Sequence, residues 1–381
     1  MASPNQQRLT TRRRPPDPAR APWTVGRVLK RLALALVAVS LTAILIGSAF
    51  FKPVFAGGFR IEPRFPIGQW FADLPSHLWW VLVFAIFTAS MAPLRAWRWG
   101  FVLPRPKPHY EDRYHAVAIG LLANNAVPGK LGEAIRSMSL TRFSEQRGRA
   151  IPFAQSLGTV LVCKLIDVIA LLTLVSLSPS GPFFGATTSL KGGFVGVVIV
   201  LPVLIALLFL TARYAPKIAD WLHAKGRSPK LENTLRELAV GVAASGSLLH
   251  VGKAFGATLI AIGAVATGYT FAMYGVGMEP GVTAGIVMLA AVTLGQSPPG
   301  VPAGLGVYYL AATWSARLLG ATAEQAATLA VLTHLTTVLT HMSVGGVSLF
   351  VRKVRLRDFL PKRKKKQGSD EVVAEGARLP A

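Results

Sequence analysis

Residues 116–136 read Ala-Val-Ala-Ile-Gly-Leu-Leu-Ala-Asn-Asn-Ala-Val-Pro-Gly-Lys-Leu-Gly-Glu-Ala-Ile-Arg. The apolar part, 116–127, is twelve residues long and stops at Pro128-Gly129. A helix needs roughly 20 apolar residues to cross about 30 Å of hydrocarbon, so this segment is too short to span. Basic residues flank it on both sides, with Arg113 before it and Arg142, Arg147 and Arg149 after it. A segment flanked by the same charge enters and leaves on one face, which predicts a re-entrant hairpin. A second interrupted stretch, Val282–Gly295, breaks at Ser297-Pro298-Pro299-Gly300-Val301-Pro302 and resumes at Leu305–Trp314. Its flanks are charge-poor, so it is expected to dip in from the other side. Irregular backbone at membrane depth is tolerated only where protein buries it or where it lines a watery cavity.

The rest of the chain supports a membrane setting. Apolar residues make up 52% of it, only 15% of residues are charged, and mean hydropathy is +0.46. A soluble domain carries about 25% charged residues. Leu32–Phe51, Leu78–Leu94, Gly193–Ala212 and Ala254–Val276 contain no Asp, Glu, Lys or Arg. Ala154–Ser178 is as long but carries Lys164 and Asp167, and Gln325–Val351 carries His334 and His341. About six spans result. The run at 32–51 exceeds the 7–15 residues of a signal-peptide core, so it is expected to be an uncleaved signal-anchor.

The net charge of +24 does not mark a nucleic-acid protein, because it concentrates beside the spans. The stretches 1–31, 95–115, 136–149, 213–253 and 352–366 hold 33 Lys and Arg, against 5 in 52–77, 178–192, 277–283 and 317–324. Basic loops stay cytoplasmic, so the first set and both termini are expected inside. Residues 1–31 and 352–381 are expected to be disordered basic tails. Between them, 32–351 form the transmembrane domain.

The two breaks share a sequence. Val127-Pro128-Gly129-Lys130-Leu131-Gly132 aligns with Val301-Pro302-Ala303-Gly304-Leu305-Gly306, 174 residues later. Each break sits between two spans, within halves 78–178 and 254–351 that the charge count runs in opposite directions. The expected fold is an all-α polytopic membrane protein with about six full spans and two re-entrant broken hairpins in an inverted repeat. In many transporters that arrangement puts the substrate site at the broken helices. The connector, 213–253, is expected to carry a surface helix after Ser228-Pro229, with Leu231, Leu235, Leu238 and Val242 on one face.

Charges at membrane depth cost about 2.5–3.5 kcal/mol each, so they are paired or functional. Lys130, Glu133 and Arg136 follow the first break at i, i+3 spacing and share a helical face. Asn124 and Asn125 precede it. Lys164 and Asp167 repeat the spacing on the next span and are expected to pair with one another. Arg95 and Arg98, between Trp97 and Trp99, fall where snorkelling belt residues occur, shallower than Glu133 and Arg136. Cations beside a half-helix N-terminus suit a phosphate. His334 and His341 share a helical face without a Cys, Asp or Glu to complete a metal site, so satisfied packing or hydrogen bonding to nearby Thr is expected. His109–His115 is expected to be a solvated loop. Cys163 is single, so no disulfide framework exists. No hydrolase, P-loop or dinucleotide fingerprint occurs, so neither an enzyme nor a cofactor is expected.

In their order, Arg95, Arg98, Asn124, Pro128, Gly132-Glu133, Arg136, Lys164 and Asp167, followed by the second break at 298–306, resemble the transmembrane region of lysylphosphatidylglycerol synthases. Stand-alone members are described as flippase-like. The resemblance covers roughly 78–350 and implies a lipid-binding or lipid-translocating domain of a prokaryotic cytoplasmic membrane. It also implies a headgroup site at Asn124, Lys130, Glu133, Arg136, Lys164, Asp167, Arg95 and Arg98. The hairpin breaks would be Pro128, Gly129, Gly132, Pro298, Pro299, Gly300, Pro302, Gly304 and Gly306. Three departures stand out. Only some thirty residues follow the last span, leaving no room for an aminoacyl-transfer domain. Lys130 and Lys164 replace expected Arg, and Tyr309 replaces an expected acid. The function expected is translocation of an anionic phospholipid or polyprenyl-phosphate-type lipid. The alternative is a non-transporting lipid-binding partner of a membrane glycosyltransferase or lipid-modifying enzyme.

Overall fold

The computed structural model describes residues 51–55, 59–64, 68, 72–127, 131–176, 229–243, 248–296, 304 and 306–359, with scattered positions at 47, 210, 213–214, 216–221 and 224. Most of the expected spans at 32–51 and 193–212, the tail 1–31, residues 360–381 of the expected tail 352–381, and Pro128, Gly129, Lys130, Pro298, Pro299, Gly300 and Pro302 lie outside them, as does most of the connector before Pro229.

Ten helices carry the described fold. They are α1 (Leu78–Ala89), α2 (Met91–Val102), α3 (Tyr110–Ala126), α4 (Gly132–Gln146) and α5 (Phe153–Ser176), then α6 (Pro229–Ala243), α7 (Leu248–Gly275), α8 (Ala284–Gly295), α9 (Val307–Leu318) and α10 (Ala323–Val351). Four helical stretches among the described residues are long and apolar enough to cross a membrane: 74–102, 153–176, 249–275 and 323–351. They match four of the expected spans. A short antiparallel hairpin, β1 (Phe51–Val54) with β2 (Arg60–Pro63), stands in the stretch read as an external loop and was not expected.

The span at 78–94 is longer than its apolar run. Pro93 is the third residue of α2, where its missing N–H costs little, and the Leu94 amide still reaches the Ser90 carbonyl at 3.1 Å. The helix therefore continues through Arg95 and Arg98 to Val102. The segment 109–115 is also helical rather than a solvated loop. It opens α3, and Asp112, Arg113 and His115 are buried.

Both breaks are built by glycine. Gly132 begins α4 against α3; a β-carbon there would strike the Asn124 side chain and the Gly120 carbonyl. Gly304 and Gly306, at φ 68° and 87°, adopt the left-handed backbone that L side chains rarely hold. Each break therefore folds its flanking helices into a hairpin, α3 on α4 and α8 on α9. The last helix starts from a capping box, with Thr322 and Gln325 satisfying each other's backbone amides.

Packing follows the same order in the two halves. The first span lies on α7, α2 packs on α3 as α7 packs on α8, and α4 packs on α5 as α9 packs on α10. One pair breaks the correspondence. α3 lies along α10 closely, with Leu122 and the Ala118 carbonyl where a Gly345 β-carbon would be. Its counterpart pair, α8 and α5, touches only briefly. The connector helix α6 docks on α5, burying Ala239 and Val242.

A charged cavity between the hairpins

The space between α5 and α8 is a cavity of about 860 Å³. Phe84, Leu171, Leu172, Val265, Val287 and Leu289 form much of its wall, and polar groups gather along one side. Arg95, Asn124, Asn125, Glu133, Lys164 and Asp167 line it, with Gln296, Tyr269, Tyr308, His334 and His341 from the second half. Lys130 lies outside the described residues. Arg98 and Arg136 do not line the cavity but support its floor.

The ion pairing departs from the expected scheme. Arg98 is 1% exposed, not a snorkelling belt residue, and it pairs with Asp167 across two helices. Its second nitrogen, Nη2, donates to Asp167 Oδ2 at 3.4 Å, and Nη1 also reaches Thr258 Oγ1 on α7 at 3.1 Å. Lys164 turns away from Asp167 and meets Glu133 at 2.9 Å. Glu133 also faces Arg136 at 3.7 Å. Arg98 and Arg136 are both buried within the protein.

The Arg136 guanidinium lies over the Trp99 ring, 4.0 Å from its centroid. Trp99 is held by its indole N–H, which donates to Thr159 at 2.8 Å. A weakly hydrated planar cation on an aromatic face is a stable way to bury charge. Asn124 accepts the Gly132 amide at 3.0 Å, satisfying one of the free N–H groups at the start of α4. Arg95 is half-buried and makes no hydrogen bond or ion pair with a described residue. Four described cations, Arg95, Arg98, Arg136 and Lys164, thus meet two carboxylates, Glu133 and Asp167. The excess positive charge sits at the cavity.

Each histidine has a hydrogen-bond partner on another helix. His334 Nδ1 meets Tyr309 Oη at 3.1 Å, and His341 Nδ1 meets Asn125 Nδ2 at 3.1 Å. No cluster of His, Cys, Asp or Glu suited to a metal occurs among the described residues. Thr258 and Tyr269 carry no signal in the sequence, and Trp99 reads there only as a belt residue. Their partners lie on distant helices, which local spacing does not reveal.

A second ionic cluster closes the end of the α3–α10 interface. Asp112, fully buried, pairs with Arg352, and Arg147 lies 3.5 Å from it. Arg147 also donates to Glu111 at 2.7 Å, and this hydrogen bond holds the Glu111 carboxyl below its usual range.

The model of one protein family, described as "Lysylphosphatidylglycerol synthase TM region", matches residues 66–345, well over half of the chain. Comparisons with curated proteins and with solved structures find no match.

Losing one partner of a buried pair strands the other charge, at a cost of about 3–5 kcal/mol. Arg98→Ala and Asp167→Ala are each expected to lower unfolding stability in detergent by about that much. The double variant should cost less than the two losses added. Additive losses would show that the two side chains do not act as a pair.

Proposed function

The chain belongs to the lysylphosphatidylglycerol synthase TM-region family, and from that premise we propose that it binds an anionic phospholipid and carries it across a prokaryotic cytoplasmic membrane. One observation carries this reading: Arg95, whose guanidinium has no hydrogen-bond or ion-pair partner among the described residues, lines an amphipathic cavity together with Glu133, Lys164 and Asp167. Leaving a cation half-buried and unpaired is costly in a bilayer. A phosphate removes that cost through charge-assisted hydrogen bonds. The apolar wall of the same cavity suits acyl or prenyl chains. A strongly cationic aminoacyl headgroup fits less well, because both cavity carboxylates are already paired and Tyr309 stands in place of an acid.

Translocation rather than scaffolding is supported by the unequal pairing of the halves. α3 is bolted to α10 while its counterpart α8 stands off α5, and the cavity fills that gap. Exchanging the closed and open interfaces would turn the cavity toward the other face, the rocking expected of an inverted repeat. In this reading the protein has six spans, cytoplasmic termini and hairpins that enter from opposite faces. No enzymatic step is assigned to it, and its partners are lipids.

Reconstitution into liposomes with fluorescent phosphatidylglycerol should give leaflet exchange above protein-free vesicles. Arg95→Ala should slow the exchange by about tenfold, the loss of one charged hydrogen bond. Its folding should survive, because no partner is stranded. Lipid retention without exchange would instead favour the non-transporting partner role.

Orientation is tested with single cysteines in a Cys163→Ser background. Glu145 and Glu279 are exposed. Cysteine at 145 should react from the cytoplasmic side and at 279 from the external side. Labelling of both from one side would contradict the inverted arrangement.

A further inference from the structure

Polar rungs cross the seam between α3 and α10, and one of them holds in a single charge state. The rungs join Asp112 to Arg352, His115 to Ser348 and Asn125 to His341. The first is a charge pair. In the second, His115 Nδ1 lies 3.1 Å from the Ser348 hydroxyl, which donates to a bare nitrogen and accepts from a protonated one. A proton on that ring leaves the rung intact.

The third rung has no such freedom. Asn125 Nδ2 donates to the Leu121 carbonyl at 2.8 Å, which identifies it as the amide nitrogen. An amide nitrogen only donates, so His341 Nδ1, 3.1 Å away, accepts and the ring proton sits on Nε2. The ring is therefore neutral in this arrangement. Nε2 is buried and has no hydrogen-bond partner. A proton added at Nδ1 would set N–H against N–H and break the rung.

His341 also lines the cavity between the hairpins. The other titratable groups there are Arg95 of α2, Glu133 of α4, Lys164 and Asp167 of α5, Tyr269 of α7, Tyr308 of α9 and His334 of α10. The lining residues of α1, α3 and α8 add none. Glu133 and Asp167 are engaged by Lys164 and Arg98, which leaves Arg95 to meet an anion. A second positive charge in the cavity that holds Arg95 is costly without an anion. A phosphate removes that cost, because it offsets Arg95 and accepts from Nε2, the buried N–H that otherwise has no acceptor.

Resting on the anionic-lipid reading above, we propose that a phosphate seated at Arg95 draws a proton onto His341 and that this proton releases α3 from α10 at the cavity end. The proton comes from water and bonds to the Nδ1 lone pair; Nε2 keeps its own, and the ring gains one positive charge. Asn125 lets go while the other two rungs hold, so the seam opens from the cavity end only when the cavity is loaded. By reciprocity the proton tightens anion binding by the same factor.

The test is calorimetric titration of the purified full chain with short-chain phosphatidylglycerol at about pH 6, in two buffers of different ionisation enthalpy. The phosphodiester exchanges no proton in this range, so the buffer difference counts protons taken up by the protein. Wild type should take up about one proton per lipid bound. His341→Gln, whose side-chain oxygen still accepts from Asn125, should bind lipid without uptake. Spin labels at 126 and 339, both exposed, in a Cys163→Ser background should move apart when lipid binds. Asn125→Asp, which offers the new N–H an acceptor, should keep them together, and it decides the matter if the glutamine variant does not fold. Lipid binding without uptake, uptake that persists in His341→Gln, or uptake without separation of the labels overturns the proton switch and leaves the anionic-lipid reading in place. Absence of lipid binding overturns both.

Discussion

The Arg98–Asp167 pair is the constraint on which the first half of the molecule depends. Charge inside a hydrocarbon layer must be matched within a few ångströms. Here the match is made between helices 69 residues apart, with Thr258 of a third helix sharing the guanidinium. Fixing that pair fixes the approach of α2, α5 and α7. The neighbouring group of Glu133, Lys164 and Arg136 then brings the first hairpin onto α5. With the carboxylates consumed in this way, Arg95 is left over, and the cavity inherits its charge. The pairs that hold the helices together are thus also what leaves a cation for a ligand.

Close backbone contact sets the second requirement. Without a hydrophobic drive between helices in lipid, association relies on small residues and on polar contacts. Gly132 against Gly120, and Gly345 against Ala118 and Leu122, let the first hairpin lie flat on itself and on α10. Asp112 and Arg352 then seal one end of that interface. Nothing comparable ties α8 to α5 among the described residues, and the cavity occupies that place. One hairpin is locked and its counterpart is not.

Much of this was legible in the residues. Pro128-Gly129 and 297–306 mark breaks because proline and glycine cannot continue a helix cheaply, and the intervening apolar lengths separate spans from hairpins. The residue types of the charge cluster were likewise visible. Their partners were not. The i, i+3 spacing of Lys164 and Asp167 favours a local pair, but Glu133 and Arg98 approach from other helices and compete successfully. Arg98 looked shallow because the apolar run ends at Leu94, while packing carries the helix on to Val102. The 109–115 segment looked solvated because the partners of Glu111 and Asp112, Arg147 and Arg352, lie far along the chain. Asn125 and His341 were visible as residues, but the contact between them, 216 positions apart, was not.

That the cavity between the hairpins holds a lipid, headgroup at the cations and tails along the apolar wall, is tested most directly by photo-crosslinking. Full-length protein in vesicles would be irradiated with phosphatidylglycerol bearing a diazirine in its acyl chain, and the adducts mapped by peptide mass spectrometry. Adducts at Leu171, Val265 and Leu289, which line the cavity, are the predicted result. They should fall when Arg95 is replaced by Ala. Adducts confined to outward-facing residues such as Leu335, Leu339 and Phe350, indifferent to Arg95, would contradict it.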